Sequence, residues 1–496
     1  MSGVTVVLDG GSLPLADLVR VAGGAPVEAD PVALDRMRGA ARAADAVALL
    51  RDVYGRSTGV GANRTVALDP DSPDAGLALL RSHAVSAGRR RSRQRVRATL
   101  VVRANQLLAG GSGASAEVAA GLVELLTHDV VPDVRELGGL GTGDLGALAT
   151  IGLALADRGV AIGMRDALPL MSSNAASIAD AALAVQDLDD LAVRALDVAA
   201  VTFAAVEGNA EAFATAVERV SPFEGTRRVA RTMRTLTAGT VAAPARIQDP
   251  FALRTLPQVH GALLDALARA ADTVNKLVNA PTENPLFDVA DVSHHGGFHA
   301  AALTVALDAV RLATLAAARL ARARLGLLCE PAMTSLSAFL AAPDVPGASG
   351  VLGLEYVAGS ALGDLHLLAA PAAGVSVSIS RGVEEDASFA SLSARAALAS
   401  VPSFRTTVAT ELLAGLRALG MHGRPVPERW AGLVADLDPD LADRDLTADL
   451  DRVDNELRTG SHGGAPAPGA EPGGGGFDGG SDDAVGGNHR SLFRDD

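Results

Sequence analysis

Gln248-Asp249-Pro250-Phe251-Ala252-Leu253-Arg254-Thr255-Leu256-Pro257-Gln258-Val259-His260-Gly261 is where the chain changes character. Pro257 suits the first position of a helix, where its missing N–H removes no hydrogen bond. Apolar residues then recur at Val259, Leu263, Leu267 and Val274, the spacing of one helical face. A second pattern runs from Phe298 to Cys329, about 45–50 Å at 1.5 Å per residue. Helices of that length point to a mainly α protein built on a long-helix bundle. Arg254, just ahead of the first helix, has the fork geometry to hold a carboxylate by two hydrogen bonds. It could equally pair with a neighbouring acid as structural glue.

Toward the N-terminus the pattern is shorter and richer in loops. Val4–Leu8 reads as a strand, followed by a helical pattern ending near Leu50. Glycines punctuate YGRSTGVGANR at Tyr54–Arg64, and helical patterning resumes over Asp74–Ser86. The basic run RRRSRQRVR, Arg89–Arg97, precedes a helix over Val96–Ala109 that stops at Gly110-Gly111. Glu136–Gly146 is too rich in glycine for a regular element. Within it, Gly138-Gly139-Leu140-Gly141-Thr142-Gly143-Asp144 reads either as a turn with Asp144 capping the next helix or as a backbone shaped for chemistry. On the C-terminal side, the acidic stretch Asp436–Asp454 carries leucines at helical spacing and reads as a solvated helix face. These features divide the chain into residues 1–225, loop-rich; 226–458, the helical bundle; and 459–496, a Gly/Pro/Asp-rich tail expected to be disordered.

Composition excludes several functions. The chain has 496 residues with 48% hydrophobic but only 3% aromatic content, so Ala, Leu and Val must build the core. Stacking platforms for nucleic acid are lacking, and the net charge of −15 repels phosphate backbones and anionic membranes. Cys329 is the only cysteine, which rules out an intrachain disulfide and a cysteine zinc site. His294, His295 and His299 lack the helical spacing of a metal motif, and Gly143-Asp144 lacks the Lys-Ser/Thr ending of a phosphate loop. The Phe298–Leu328 stretch is broken by Asp308, Arg311, Arg319, Arg322 and Arg324, so it reads as a soluble helix. MSGVTVVLDGGS has no signal-peptide pattern, and a cytoplasmic location is expected.

The order of these pieces resembles the aromatic amino-acid ammonia-lyase family, and within it the histidine enzymes. YGRSTGVG looks like the family's tyrosine loop, and Ser82-His83 like its Ser-His pair. Gly141-Thr142-Gly143-Asp144-Leu145 falls where the family has Ala-Ser-Gly-Asp-Leu. QDPFALR, Thr282-Glu283-Asn284-Pro285-Leu286, GGFHA and Glu384-Glu385-Asp386 follow in the family's order. The resemblance covers residues 45–400 and implies a bundle of the histidine ammonia-lyase and aspartase/fumarase type, assembled as a homotetramer whose active sites are built by several chains.

It also implies chemistry. In the family, Ala-Ser-Gly cyclises and dehydrates to methylidene-imidazolone (MIO), an electrophile that activates the substrate's amine or ring. Tyr54 corresponds to the catalytic base, Arg254 to the carboxylate clamp and Asn284 to its partner. Gln248 falls at an active-site glutamine, and His83 and Glu385 at the imidazole contacts. Three departures fall on the electrophile side. Gly141-Thr142-Gly143 replaces Ala-Ser-Gly, and β-branched Thr142 resists a compressed backbone. Phe251 replaces a tyrosine. Ser172 stands at the position of a family asparagine, with Asn174 two residues on.

The expectation is a lyase for a small carboxylate-bearing, amino-acid-like substrate, working by elimination, addition or cyclisation without ordinary MIO and with no metal or nucleotide cofactor. A histidine-type ammonia-lyase with a threonine-derived electrophile and a non-catalytic ligand-binding relative are the alternatives. The Arg89–Arg97 run reads as a solvated face paired with acids of a neighbouring subunit, or as a surface steering an anionic substrate or an acidic carrier protein.

Overall fold

The computed structural model describes residues 4–68, 74–288 and 291–459. Its centre is the helix Ala175–Ala205, buried on nearly every side, as its Ala- and Leu-rich sequence requires. Against it lie Ala390–Met421 and Arg93–Leu108, and around these pack Leu256–Val278, Ala301–Cys329 and Leu352–Leu368. Small side chains at most contact positions let these helices approach closely. The fold is a mainly α long-helix bundle, as the spacing predicts. Residues 4–459 belong to one unit, and the expected division at 225/226 falls inside the helix Glu224–Leu236. The expected tail lies outside the described residues apart from Thr459, which ends a helix.

Buried charges join the helices. Arg324 binds Glu411 through both oxygens, at 2.7 and 2.8 Å, and Thr202 donates to the same carboxylate at 2.7 Å. Three long helices are thereby held in one register. Ala301–Cys329 is long and apolar enough to cross a membrane by composition, yet half of its apolar window is buried. Its Asp308, Arg311 and Arg324 face inward and are ion-paired. It is a bundle helix.

Two local expectations are corrected. The N-terminal helical pattern is two helices, Leu15–Ala22 and Pro31–Ala48, because Gly23-Gly24-Ala25-Pro26 breaks it and Val27–Ala29 pairs in parallel with Val6–Leu8. The acidic stretch is likewise interrupted between Ala431–Asp436 and Thr447–Thr459. There Asp438, Asp440 and Asp445 accept hydrogen bonds from the amides of Asp440, Ala442 and Thr447, side-chain turns that compete with a helix.

The arginine run is corrected more fully. Arg91 and Arg95 both bind the buried Asp180 of the central helix, at 2.9 and 2.8 Å. Arg97 is buried and donates to the carbonyls of Val21 and Leu126. Arg90 and Arg93 pair with Asp133 and Asp129. Arg91, Arg95 and Arg97 thus fasten the N-terminal region to the bundle within one chain instead of forming a solvated face, while Arg89, Arg90 and Arg93 stay exposed.

Candidate active site

The loops ahead of these helices meet at one end of the bundle around a cavity of about 720 Å³. Tyr54, His83, Thr142, Ser172, Asn284 and Glu385, nominated from different parts of the sequence, all line it.

Tyr54 is placed by its own glycine-rich loop. Gly55 has φ +69°, and a Cβ there would come 2.0 Å from Leu168 Cδ2. The loop turns back so that Gly61 N–H donates to the Tyr54 phenol oxygen at 2.7 Å. The Tyr54 amide donates to His294 Nε2 at 3.2 Å. Burial pushes the phenol above its ordinary pKa and the Glu384 charge adds to this; the Gly61 hydrogen bond and Arg64 pull the other way.

The Gly141–Gly143 loop is held from three sides. Gly141 carries φ +85°, and a Cβ on it would meet Ser388 Oγ at 2.1 Å and the Ala390 amide nitrogen at 2.7 Å. Its carbonyl accepts from Ser388 Oγ at 2.8 Å and from Ala300 N–H at 3.3 Å. Gly143 N–H donates to Asn174 Oδ1 at 3.2 Å, while Asn174 Nδ2 donates to the Phe298 carbonyl. Asp144 does start its helix, but its side chain caps another. Its carboxylate accepts from Ser177 N–H at 2.7 Å and Ser177 Oγ at 2.9 Å, at the N-terminus of the central helix.

Ser172 and Asn174 divide the work between them. Ser172 lines the cavity and its Oγ accepts from the Asn284 amide at 3.2 Å; Asn174 clamps the glycine loop. Asn284 Oδ1 accepts from His295 N–H at 2.8 Å. His83 Nδ1 lies 2.9 Å from the Leu79 carbonyl, to which it can only donate, and 3.0 Å from Ser82 Oγ. The three histidines of the 294–299 segment diverge: His294 meets Tyr54, His295 the Glu283 carbonyl, and His299 the Asp386 carboxylate at 3.4 Å. Among the described residues no cluster of His, Cys, Asp and Glu suits a metal.

Gln248, Phe251 and Arg254 do not join the cavity within this chain. Gln248 and Phe251 are exposed. Arg254 stacks on the Phe251 ring, 4.7 Å from guanidinium to centroid, and donates to the Asp249 carbonyl at 3.2 Å. Asp249, which the motif reading left without a role, fixes this turn by accepting from Asn209 N–H at 2.6 Å and pairing with Arg246 at 3.0 Å. Sequence reasoning also passed over Arg64, Ser380, Glu384 and Asp386 as lining residues. Their signal was position alone, at the end of the tyrosine loop and around Glu385.

The fold and this clustering agree with a protein-family match. The aromatic amino acid lyase model covers residues 13–436, and the chain belongs to that family. It is 31% identical to the histidine ammonia-lyase of Geobacillus thermodenitrificans (strain NG80-2) over 490 residues, covering 91% of this chain and 97% of that one. It is 33% identical to the histidine ammonia-lyase of Sorangium cellulosum (strain So ce56), covering 86% and 91% of the two chains. Among solved structures, histidine ammonia-lyase from Trypanosoma cruzi superposes with a TM-score of 0.82 at 25% identity, over 92% of this chain and 93% of that one. The ergothioneine-degrading enzyme Ergothionase from Treponema denticola shares the fold, with a TM-score of 0.85 at 22% identity over 92% and 98%.

Proposed function

We propose that this lyase-family protein eliminates an amine from a carboxylate-bearing, amino-acid-like substrate, with Tyr54 as base and without the ordinary MIO group. The observation that carries the reading is the seat of Gly141. Its left-handed backbone and the 2.1 Å approach of Ser388 Oγ to a Cβ leave no room for the alanine that precedes the reactive serine in the family. Thr142 adds a methyl group where dehydration would have to occur. The residues present therefore do not fit the ordinary group. Tyr54, His83, Asn284 and Glu385 meanwhile converge on one cavity. The Tyr54 phenolate takes the proton from the substrate's β-carbon. The C–H electron pair becomes the C=C bond, and the C–N pair leaves with the amine. Without an electrophile to activate nitrogen, this chemistry favours substrates with an acidified β-proton or a better leaving group than ammonia.

Intact-mass spectrometry tests the reading directly. The expected mass is that of the linear chain; a deficit of two waters would overturn it in favour of a threonine-derived electrophile.

Arg254 enters this reading from another protomer of a homotetramer. The supporting observations are its absence from the cavity of its own chain and the apolar surface beside it, with Ile247 93% and Phe251 64% exposed. Mixing inactive Tyr54→Phe with inactive Arg254→Ala and reassembling them should restore about a quarter of wild-type activity, because random assortment places both intact residues in that share of sites. No recovery on mixing would place both residues in a site built by one chain. A cytoplasmic setting remains part of the proposal.

A further inference from the structure

Among the cavity's acids, Glu384 is set apart by what it faces. Its backbone is pinned where Ile379 N–H donates to its carbonyl at 2.9 Å. The intervening turn is left-handed at two residues other than glycine, Ser380 with φ 53° and Arg381 with φ 58°. That costly conformation is held against the tyrosine loop, because Ser380 Oγ accepts from Ala62 N–H at 2.9 Å. Glu384 Oε1 consequently lies 3.4 Å from the point a Cβ on Gly61 would occupy, and Gly61 is the residue hydrogen-bonded to the Tyr54 phenol. Among the described residues the Glu384 carboxylate has no ion-pair partner. Glu385, the acid nominated from sequence, is exposed, whereas Glu384 is half-buried.

A phenolate at Tyr54 would place two negative charges side by side in a partly dry site. A cation between them relieves that repulsion. The substrate supplies the position for one: an α-nitrogen is bonded to the carbon next to the β-carbon that Tyr54 deprotonates.

We propose that Glu384 is a specificity-determining residue that binds a positively charged substrate nitrogen beside Tyr54, so that this phenol ionises when a cationic amino acid is bound. The proposal rests on Tyr54 as base. On ionisation the phenol proton passes to solvent and its electron pair stays on oxygen. The groups facing Tyr54 are Gly61 N–H and Arg64, which favour the phenolate, and Glu384, which opposes it. His83, His299, Glu385 and Asp386 share the cavity. Cationic α-amino acids are the ligand class, and deaminated carboxylates are excluded from this contact.

Two measurements on the full chain test it. In a Tyr54→Phe background, where turnover is too slow to deplete the ligand, Glu384→Gln should weaken L-histidine binding at pH 7 by at least about tenfold and 3-(imidazol-4-yl)propanoate by less than about twofold. In ligand-free protein, the phenolate absorbance of Tyr54, isolated by subtracting Tyr54→Phe, should titrate at lower pH in Glu384→Gln than in wild type. Equal loss of both ligands, or an unmoved titration, would overturn the proposal. If the Tyr54→Phe protein holds neither imidazole compound, the titration decides alone, and an unmoved titration overturns the Glu384–Tyr54 coupling.

Discussion

Tyr54→Phe should lower turnover by about 10²–10⁴-fold, the usual contribution of a positioned general base. The substitution keeps the ring that fills its place between the Gly55 and Gly61 turns and removes only the oxygen that accepts from Gly61 N–H. Substrate affinity should therefore change little, and the loss should fall on kcat. The pH profile adds a second signature. Burial and the neighbouring Glu384 raise the phenol's pKa, and in the proposed elimination the working form is the phenolate. Below that pKa, the wild-type rate from free enzyme should climb about tenfold per pH unit as the phenolate fraction grows. The residual rate of the Phe variant should lack this limb. A Phe variant that retains most of the wild-type rate would remove Tyr54 from the chemistry and with it the proposed elimination.

The second large effect concerns stability. Arg103 and Glu283 form a fully buried pair at 2.7 Å. Burial drives Arg103 down and Glu283 up from their ordinary pKa values, and each one's charge opposes that drift in the other. Arg103 also donates to the Leu170 carbonyl at 3.1 Å, to the Pro169 carbonyl and to Gln106. Glu283→Ala leaves the guanidinium buried without its counter-charge and should cost about 3–5 kcal/mol, read as a lowered denaturant midpoint. Arg103→Met/Glu283→Leu together should recover part of that loss, since no charge is then stranded. Recovery should be incomplete because the Leu170 and Pro169 carbonyls lose their donor. Glu283 precedes Asn284, and Leu170 lies two residues before Ser172, so the single variant should also loosen the cavity. A midpoint unchanged by Glu283→Ala would show that the pair is not buried as described.

The helical bundle was legible because its signal is local and repeated. Apolar residues at helical spacing from Val259 onward, and a proline able to start the helix, define it without knowledge of any partner. The cavity residues were legible for another reason. Tyr54, His83, Thr142, Asn284 and Glu385 lie far apart in the chain, and only the order of their motifs suggested that they meet. Their convergence depends on loops closed by glycines at positive φ and on side chains reaching across elements, such as Asn174 to Gly143. Periodicity encodes none of that.

The arginine run illustrates what composition conceals. Nine residues with six arginines read as a solvated surface, yet Asp180, about ninety positions away in sequence, draws Arg91 and Arg95 inward. A buried carboxylate needs compensating charge, and only the packing of Arg93–Leu108 against the central helix reveals which residues supply it. Asp144 was similar: its place at a helix start was readable, but the helix it caps is not its own.

By itself, the sequence determined the long-helix architecture, the impossibility of an intrachain disulfide, and the residue types available for proton transfer, because each follows from local spacing or composition. Only the tertiary structure decided that Gly141 has no space for a methyl group, that Glu384 rather than Glu385 faces the tyrosine loop, and that Arg254 stands apart from its own chain's cavity. Those outcomes depend on distances between segments hundreds of residues apart, which packing sets and neighbouring letters do not.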